Sequence, residues 1–155
     1  MKPEDLKNLI KQYLPTKKVM QLATVADDQP YAVNVHYYSD ENFNFYWRST
    51  LARQHSQEIE RNPKVSTTIL IHENTPAENH VVGITIVGTV ELLGQKIDSA
   101  IGDAYISKLN LKPEILTDIA TGKDSHRFYK LEPAKIVLFD NKHYPENPRQ
   151  ELNLA

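Results

Sequence analysis

Apolar and polar positions repeat along this chain in two periods, and the switches between them divide it into short elements. Leu6, Leu9, Ile10 and Leu14 fall on one helical stripe and Pro15 closes it, so a helix is expected over Glu4–Leu14. Val19–Val25 reads as a strand, with Ala26-Asp27-Asp28-Gln29-Pro30 as its turn. Tyr31–Tyr38 alternates. Tyr31, Val33, Val35 and Tyr37 face one side, and Ala32, Asn34, His36 and Tyr38 face the other. Ser39-Asp40-Glu41-Asn42 then turns into Phe43–Trp47, where Phe43, Phe45 and Trp47 share a face. Connections this short join antiparallel neighbours.

A helical pattern over Leu51–Asn62 is broken by Pro63, and Val65–Ile71 returns to strand. His72–His80 is a polar loop. Val81–Leu93 is the longest strand pattern, ended by Gly94. Gly83 and Gly88 inside it predict a bulge, a barrel corner or a close backbone approach. Helices follow over Ile97–Lys108 and Pro113–Ala120. Strands Arg127–Leu131 and Ile136–Phe139 flank Glu132-Pro133. From Asn141 the chain is polar and interrupted by proline, a loop or an arm on a partner. No internal repeat or linker interrupts the pattern. A single domain over residues 1–155 is expected: mainly β, a small antiparallel barrel with helices inserted between strands.

Composition narrows the function classes. The formal net charge is -2 and the basic residues are dispersed, which argues against a nucleic-acid partner. The absence of cysteine excludes disulfides, thiolate zinc sites and a cysteine nucleophile, and fits a reducing cytoplasm. The first residues are too polar for a signal peptide, and no apolar run approaches the roughly 20 residues of a membrane span. A soluble cytoplasmic protein is expected. His72, Glu73 and His80 have no helical or zinc-ligand spacing, so no metal site is expected.

The segment Trp47–Arg61 (WRSTLARQHSQEIER) carries the candidate chemistry. Ser49 or Thr50 is placed to cap the helix that follows. A helix start carries partial positive charge and usually gathers acids. Here Arg48, Arg53 and His55 crowd the start, while Glu58 and Glu60 sit near the end. A bound anion would turn this unfavourable order into a favourable one, because free N–H groups, hydroxyls and bases would converge on it. A solvated surface helix with screened charges is the competing reading.

The ordered series MQLATV, YAVNVHYY, FNFYWRST, ARQHSQEIERNPKVS, GITIVGTVELL and FYKLEPAKIVLFD resembles the FMN-binding split-barrel family typified by pyridoxamine 5'-phosphate oxidase. The resemblance implies a split barrel, a homodimer and FMN in clefts between the subunits. It implies a phosphate site at Arg48, Ser49, Thr50, Arg53, Gln54 and His55, with Asn34 and His36 on the cofactor side of their strand. Trp47 is either core packing or a platform for the flavin. His55 shares a stripe with Leu51 and Ile59, so a semi-buried structural histidine is its alternative role. Tyr31 stands where the biosynthetic oxidase has arginine, and the tail lacks that enzyme's Arg/His substrate pair. The function implied is therefore an FMN-dependent oxidoreductase acting on a small molecule. The alternative is a non-catalytic flavin or haem carrier, or a redox-sensing dimer, with His36, His55 and His126 leaving haem open.

Overall fold

The computed structural model describes residues 2–73 and 80–155. Val19–Ala26 (β1) and Gln29–His36 (β2) pair in unbroken register from Ala26 opposite Gln29 to Val19 opposite His36. Their turn is only Asp27-Asp28, both with positive φ (52° and 60°), the backbone that matches the twist of a two-residue hairpin. The five-residue turn expected through Pro30 is thus corrected. Gln29 and Pro30 belong to β2, where an edge strand tolerates proline.

The remaining strands are Tyr38–Ser39 (β3), Phe45–Thr50 (β4), Lys64–Glu73 (β5), Val81–Gly94 (β6), His126–Asp140 (β7) and Arg149–Asn153 (β8). All the pairings are antiparallel, in the order β2-β1-β5-β6-β7-β4-β3, with β8 on β7. β2 and β3 stand at opposite ends of this order, yet only Tyr37 separates them in the chain. The sheet therefore curls until its ends meet at Tyr37, and it opens where β2 and β4 diverge. Tyr37 is fully buried and donates its hydroxyl to the Leu14 carbonyl at 2.5 Å. This is the expected split antiparallel barrel.

Two expected strands merge into one. β7 runs through Glu132-Pro133, and its register against β6 shifts where Pro133 lies opposite Gly88. A Cβ on Gly88 would stand 2.2 Å from the Glu132 carbonyl oxygen, so the close approach expected from sequence falls at Gly88. The tail is also corrected: β8 pairs along β7 from Lys135–Asn153 to Phe139–Arg149, and Leu152 is buried in the core. Of the expected His72–His80 loop, His72 and Glu73 belong to β5, and residues 74–79 lie outside the described residues.

Two hydrophobic clusters lie on opposite faces of the sheet. Inside the barrel, Met20, Leu22, Phe45, Trp47, Ile84, Ile86, Leu131 and Leu138 pack together. Leu6 and Ile10 of the first helix, Pro3–Tyr13 (α1), join them, with Leu14 just beyond it. Outside β4 and β7, Tyr46 and Phe128 pack with Tyr105, Ile106 and Ile119 from two further helices. The second helix, α2 (Gln54–Arg61), lies against β1, and these last two are α3 (Ser99–Leu109) and α4 (Glu114–Thr121). α3 starts on Asp98, which accepts the Ile101 N–H at 3.2 Å, and ends on left-handed Asn110. β4 thus sends Phe45, Trp47 and Ser49 to one face and Tyr46, Arg48 and Thr50 to the other.

Candidate functional site

A cavity of about 770 Å³ occupies the opening between β2 and the end of β4. β2 contributes Tyr31 and Val33–His36, and α3 with the residues after it contributes Tyr105, Leu109 and Leu111. Arg48, Arg53, His36, His55 and His126 line the cavity, and among the described residues no aspartate or glutamate does. Its wall is therefore basic although the whole chain is slightly acidic.

The first part of this wall is the start of α2. The helix begins at Gln54, so the expectation of a helix from Leu51 capped by Ser49 or Thr50 is corrected. Both residues end β4, and Arg53 occupies the cap position without a side-chain capping bond. The first turn's bond runs from Gln57 N–H to the Arg53 carbonyl, so the N–H groups of Gln54, His55 and Ser56 have no carbonyl partner within the helix. Ser49 Oγ and His55 Nε2 lie 2.8 Å apart, both buried. Burial holds the His55 ring below the usual histidine range, and the charge of Arg53 adds to this against a smaller opposing effect of Glu58. An incoming anion would offset Arg53. If His55 donates through Nε2–H, the Ser49 hydroxyl is free to donate to that anion.

The second part lies across β4. Arg48 and Thr50 leave the strand on the face opposite Ser49, and Thr50 pairs with His126 at the start of β7. His126 Nδ1 is 2.6 Å from Asp124 Oδ1, which also accepts the His126 backbone N–H at 2.8 Å. Burial would raise the Asp124 carboxyl, but the bonds from His126 and the charges of His126 and Arg48 outweigh it and hold the group low. Arg48 Nη1 is 4.0 Å from Asp124 Oδ2. Burial raises the Tyr105 hydroxyl, and Arg48 opposes that rise through both side chain and backbone.

Of the residues named from sequence, Asn34, His36, Arg48, Ser49, Thr50, Arg53, Gln54 and His55 line this one cavity. Trp47 does not. It is fully buried in the barrel, stacked on Tyr129 with ring centroids 5.6 Å apart and planes at 7°. Sequence reasoning missed Tyr105 and Leu109, whose helix reads as ordinary packing, Leu111 just beyond that helix, and Asp124. The one sequence signal for the last was the Asp124-x-His126 spacing. Among the described residues no cluster of three or more potential metal ligands occurs.

An antiparallel split barrel with a basic cleft at its opening defines the class of split β-barrel proteins. The family model for pyridoxamine 5'-phosphate oxidase matches residues 6–139, and the chain belongs to that family. No curated protein matches it. The solved structure of general stress protein 26 from Bacillus anthracis is 19% identical, covers 96% of this chain and 98% of its own, and has a TM-score of 0.67. A FAD-binding protein from Mesorhizobium loti is 21% identical over 83% of this chain and 88% of its own, with a TM-score of 0.62. The haem storage protein HutZ from Vibrio cholerae is 20% identical over 83% and 89%, with a TM-score of 0.60. These likenesses are likenesses of fold. No helix of the described residues is long and apolar enough to cross a membrane.

Proposed function

We propose that this protein binds FMN in the cleft between β2 and α2 and acts as a cytoplasmic, FMN-dependent small-molecule oxidoreductase. The observation that carries the reading is the cavity wall, free of acids among the described residues, where Arg53 and His55 lie beside the α2 start, whose first N–H groups have no carbonyl partner within the helix. That donor set fits a phosphate: backbone N–H groups and the helix dipole favour an anion, and Arg53 adds charge-assisted bonds. Ser49, Gln54 and His55 complete the cradle, and Asn34 and His36 are assigned to the rest of the cofactor. Bound flavin would supply the hydride exchange, while these residues hold and orient it.

The working unit in this reading is a symmetric homodimer. Gln21 Nε2 donates to Asn34 Oδ1 at 2.9 Å, which links the cleft to the outer sheet face. That face carries exposed Leu70, Val87 and Phe139. A second copy seated there would cover apolar surface and reach the mouth of the cleft.

The test is titration of the purified protein with FMN and with riboflavin, which shares the ring and lacks the phosphate. FMN is expected to bind far more tightly. Arg53→Ala should weaken FMN by about 1.5–3 kcal/mol, the value of a charge-assisted bond, and leave riboflavin nearly unchanged. Equal affinity for the two, insensitive to Arg53→Ala and His55→Ala, would overturn the reading. The histidines of the cleft also favour a second reading, haem, with His36, His55 and His126 lining the same cavity. A Soret band in place of flavin absorption in the purified protein would select it.

A further inference from the structure

The strand alternation of β4 divides the basic wall of the cleft in two. Ser49 points with the barrel interior toward His55, whereas Arg48 leaves on the opposite face, beside Tyr105 of α3 and the Asp124–His126 pair. One phosphate at the start of α2 does not account for this second group.

The donors of the second group are largely uncommitted. A guanidinium carries five N–H groups. Those of Arg48 meet Asp124 at 4.0 Å, beyond hydrogen-bond length, and the Tyr105 hydroxyl. In its imidazolium form the His126 ring donates Nδ1–H to Asp124, which fixes the ring's orientation, and keeps a second donor, Nε2–H, with no protein partner among the described residues. Both Arg48 and His126 line the cavity, and Asp124 does not.

We propose that Arg48, His126 and the Tyr105 hydroxyl form a second anion subsite, which takes the carboxylate of a small organic acid with an apolar body. A carboxylate fits better than a phosphate for two reasons. The planar guanidinium fork matches two carboxylate oxygens. With the His126 ring protonated, Asp124 behind the pair also cancels one of the two positive charges, so the subsite suits a monoanion better than a dianion. The apolar body follows from Val33, Val35, Leu109 and Leu111 on the same walls. The subsite's role in holding a substrate rests on the flavin reading; its capacity to bind a carboxylate does not.

The experiment is calorimetric titration of the full chain with benzoate, and with benzamide as the uncharged analogue, in the absence of flavin and at saturating FMN. Benzoate should bind in both conditions, with benzamide at least about tenfold weaker, since a charge-assisted bond is lost. Arg48→Lys, which keeps the charge but loses the fork, and His126→Gln should each weaken benzoate about tenfold. Arg53→Gln should leave benzoate unchanged. His126 is half-exposed, so its variant still serves if Arg48→Lys does not fold. No binding of benzoate at millimolar concentration, or equal binding by both variants and wild type, overturns the proposal. Loss of benzoate in Arg53→Gln alone, or its competitive displacement by FMN, also overturns it, because benzoate would then occupy the phosphate site. If benzoate binds through Arg48 and FMN does not bind at all, the carboxylate subsite stands and the flavin reading falls.

Discussion

Lys108 shows how a single buried group can govern behaviour away from the cleft. Its amine lies 3.7 Å from the centre of the Tyr37 ring, and its Nζ is buried without a hydrogen-bond partner among the described residues. Burial pushes the amine down to about 8, and the charge of Lys18 adds to the effect. The ring face beneath it recovers only part of the lost hydration. An unfolded lysine titrates near 10.4. Between the two values the unfolded chain holds a proton that the folded chain has released, so stability rises with pH across that window. Urea unfolding at pH 8 and pH 9.5 should show the wild type gaining on the order of 1 kcal/mol. The gain should vanish in Lys108→Met, which should also be the more stable protein at neutral pH. Above about pH 10 the trend should reverse, because burial raises the hydroxyls of Tyr37 and Tyr105 and ionised tyrosine favours the unfolded chain. A wild type that weakens from pH 8 to 9.5 would contradict this account.

The long β6–β7 pair is the element that shapes the barrel, and Gly88 is where it bends. Two backbone groups approach there because Pro133 lacks an N–H and the register slips beside it. A methyl at Gly88 would meet the Glu132 carbonyl and the Pro133 Cα at 2.2 and 2.9 Å, and backbone atoms cannot rotate away. Gly88→Ala should cost about 1–3 kcal/mol, the usual range for overpacking, seen as a lower thermal midpoint. Gly83→Ala is the control: its nearest obstacle is the Ile69 carbonyl at 3.8 Å, an ordinary contact. Equal melting of the two variants would mean that the strands can separate at Gly88 without cost. The short helix α2 illustrates the opposite relation between sequence and element. Its residues were legible, but its start was not. Thr50 prolongs β4 because it pairs with His126 across the sheet, and a cross-strand partner outweighs a local capping preference.

On the scale of the whole molecule, the curl that joins β2 to β3 at Tyr37 creates both the cleft and an uncovered sheet face. The strand faces of β5, β6 and β7 outside the barrel present Leu70, Val87 and Phe139, with 52%, 40% and 43% of their surface exposed. Light scattering should therefore report twice the chain mass of 17.8 kDa at micromolar concentration. Phe139→Glu, on that face and outside the cleft lining, should shift the protein to monomer and weaken FMN at the same time. A wild-type monomer would remove the dimer from the proposed function. A dimer that splits in Phe139→Glu with FMN affinity intact would show that one chain suffices for the site.

Much of this architecture was legible in the sequence, because strand alternation and helical stripes are local consequences of which face must be buried. The strands β1, β2 and β4, the long β6, the three later helical segments and the basic start of α2 all follow from such patterns. The expected antiparallel pairing of Tyr31–Tyr38 with Phe43–Trp47 forms only at Tyr38, opposite Tyr46, because the sheet order sends β2 and β4 to opposite sides of the opening. The Asp27-Asp28 turn was not legible, since aspartate announces positive φ far less clearly than glycine. β8 was hidden because Leu152 is its one buried residue, and a strand held by pairing with β7 needs no period of its own. The sequence likewise placed Arg48 with Ser49 in one phosphate site, from the charge order at the start of α2 and from the family resemblance. The tertiary structure set them on opposite faces of β4 and brought Asp124 and His126 from more than 70 residues away to stand beside Arg48. Which residues share a face is written in the chain's period. Which faces meet is decided only when the sheet closes, because those contacts depend on register and curl that no local segment encodes.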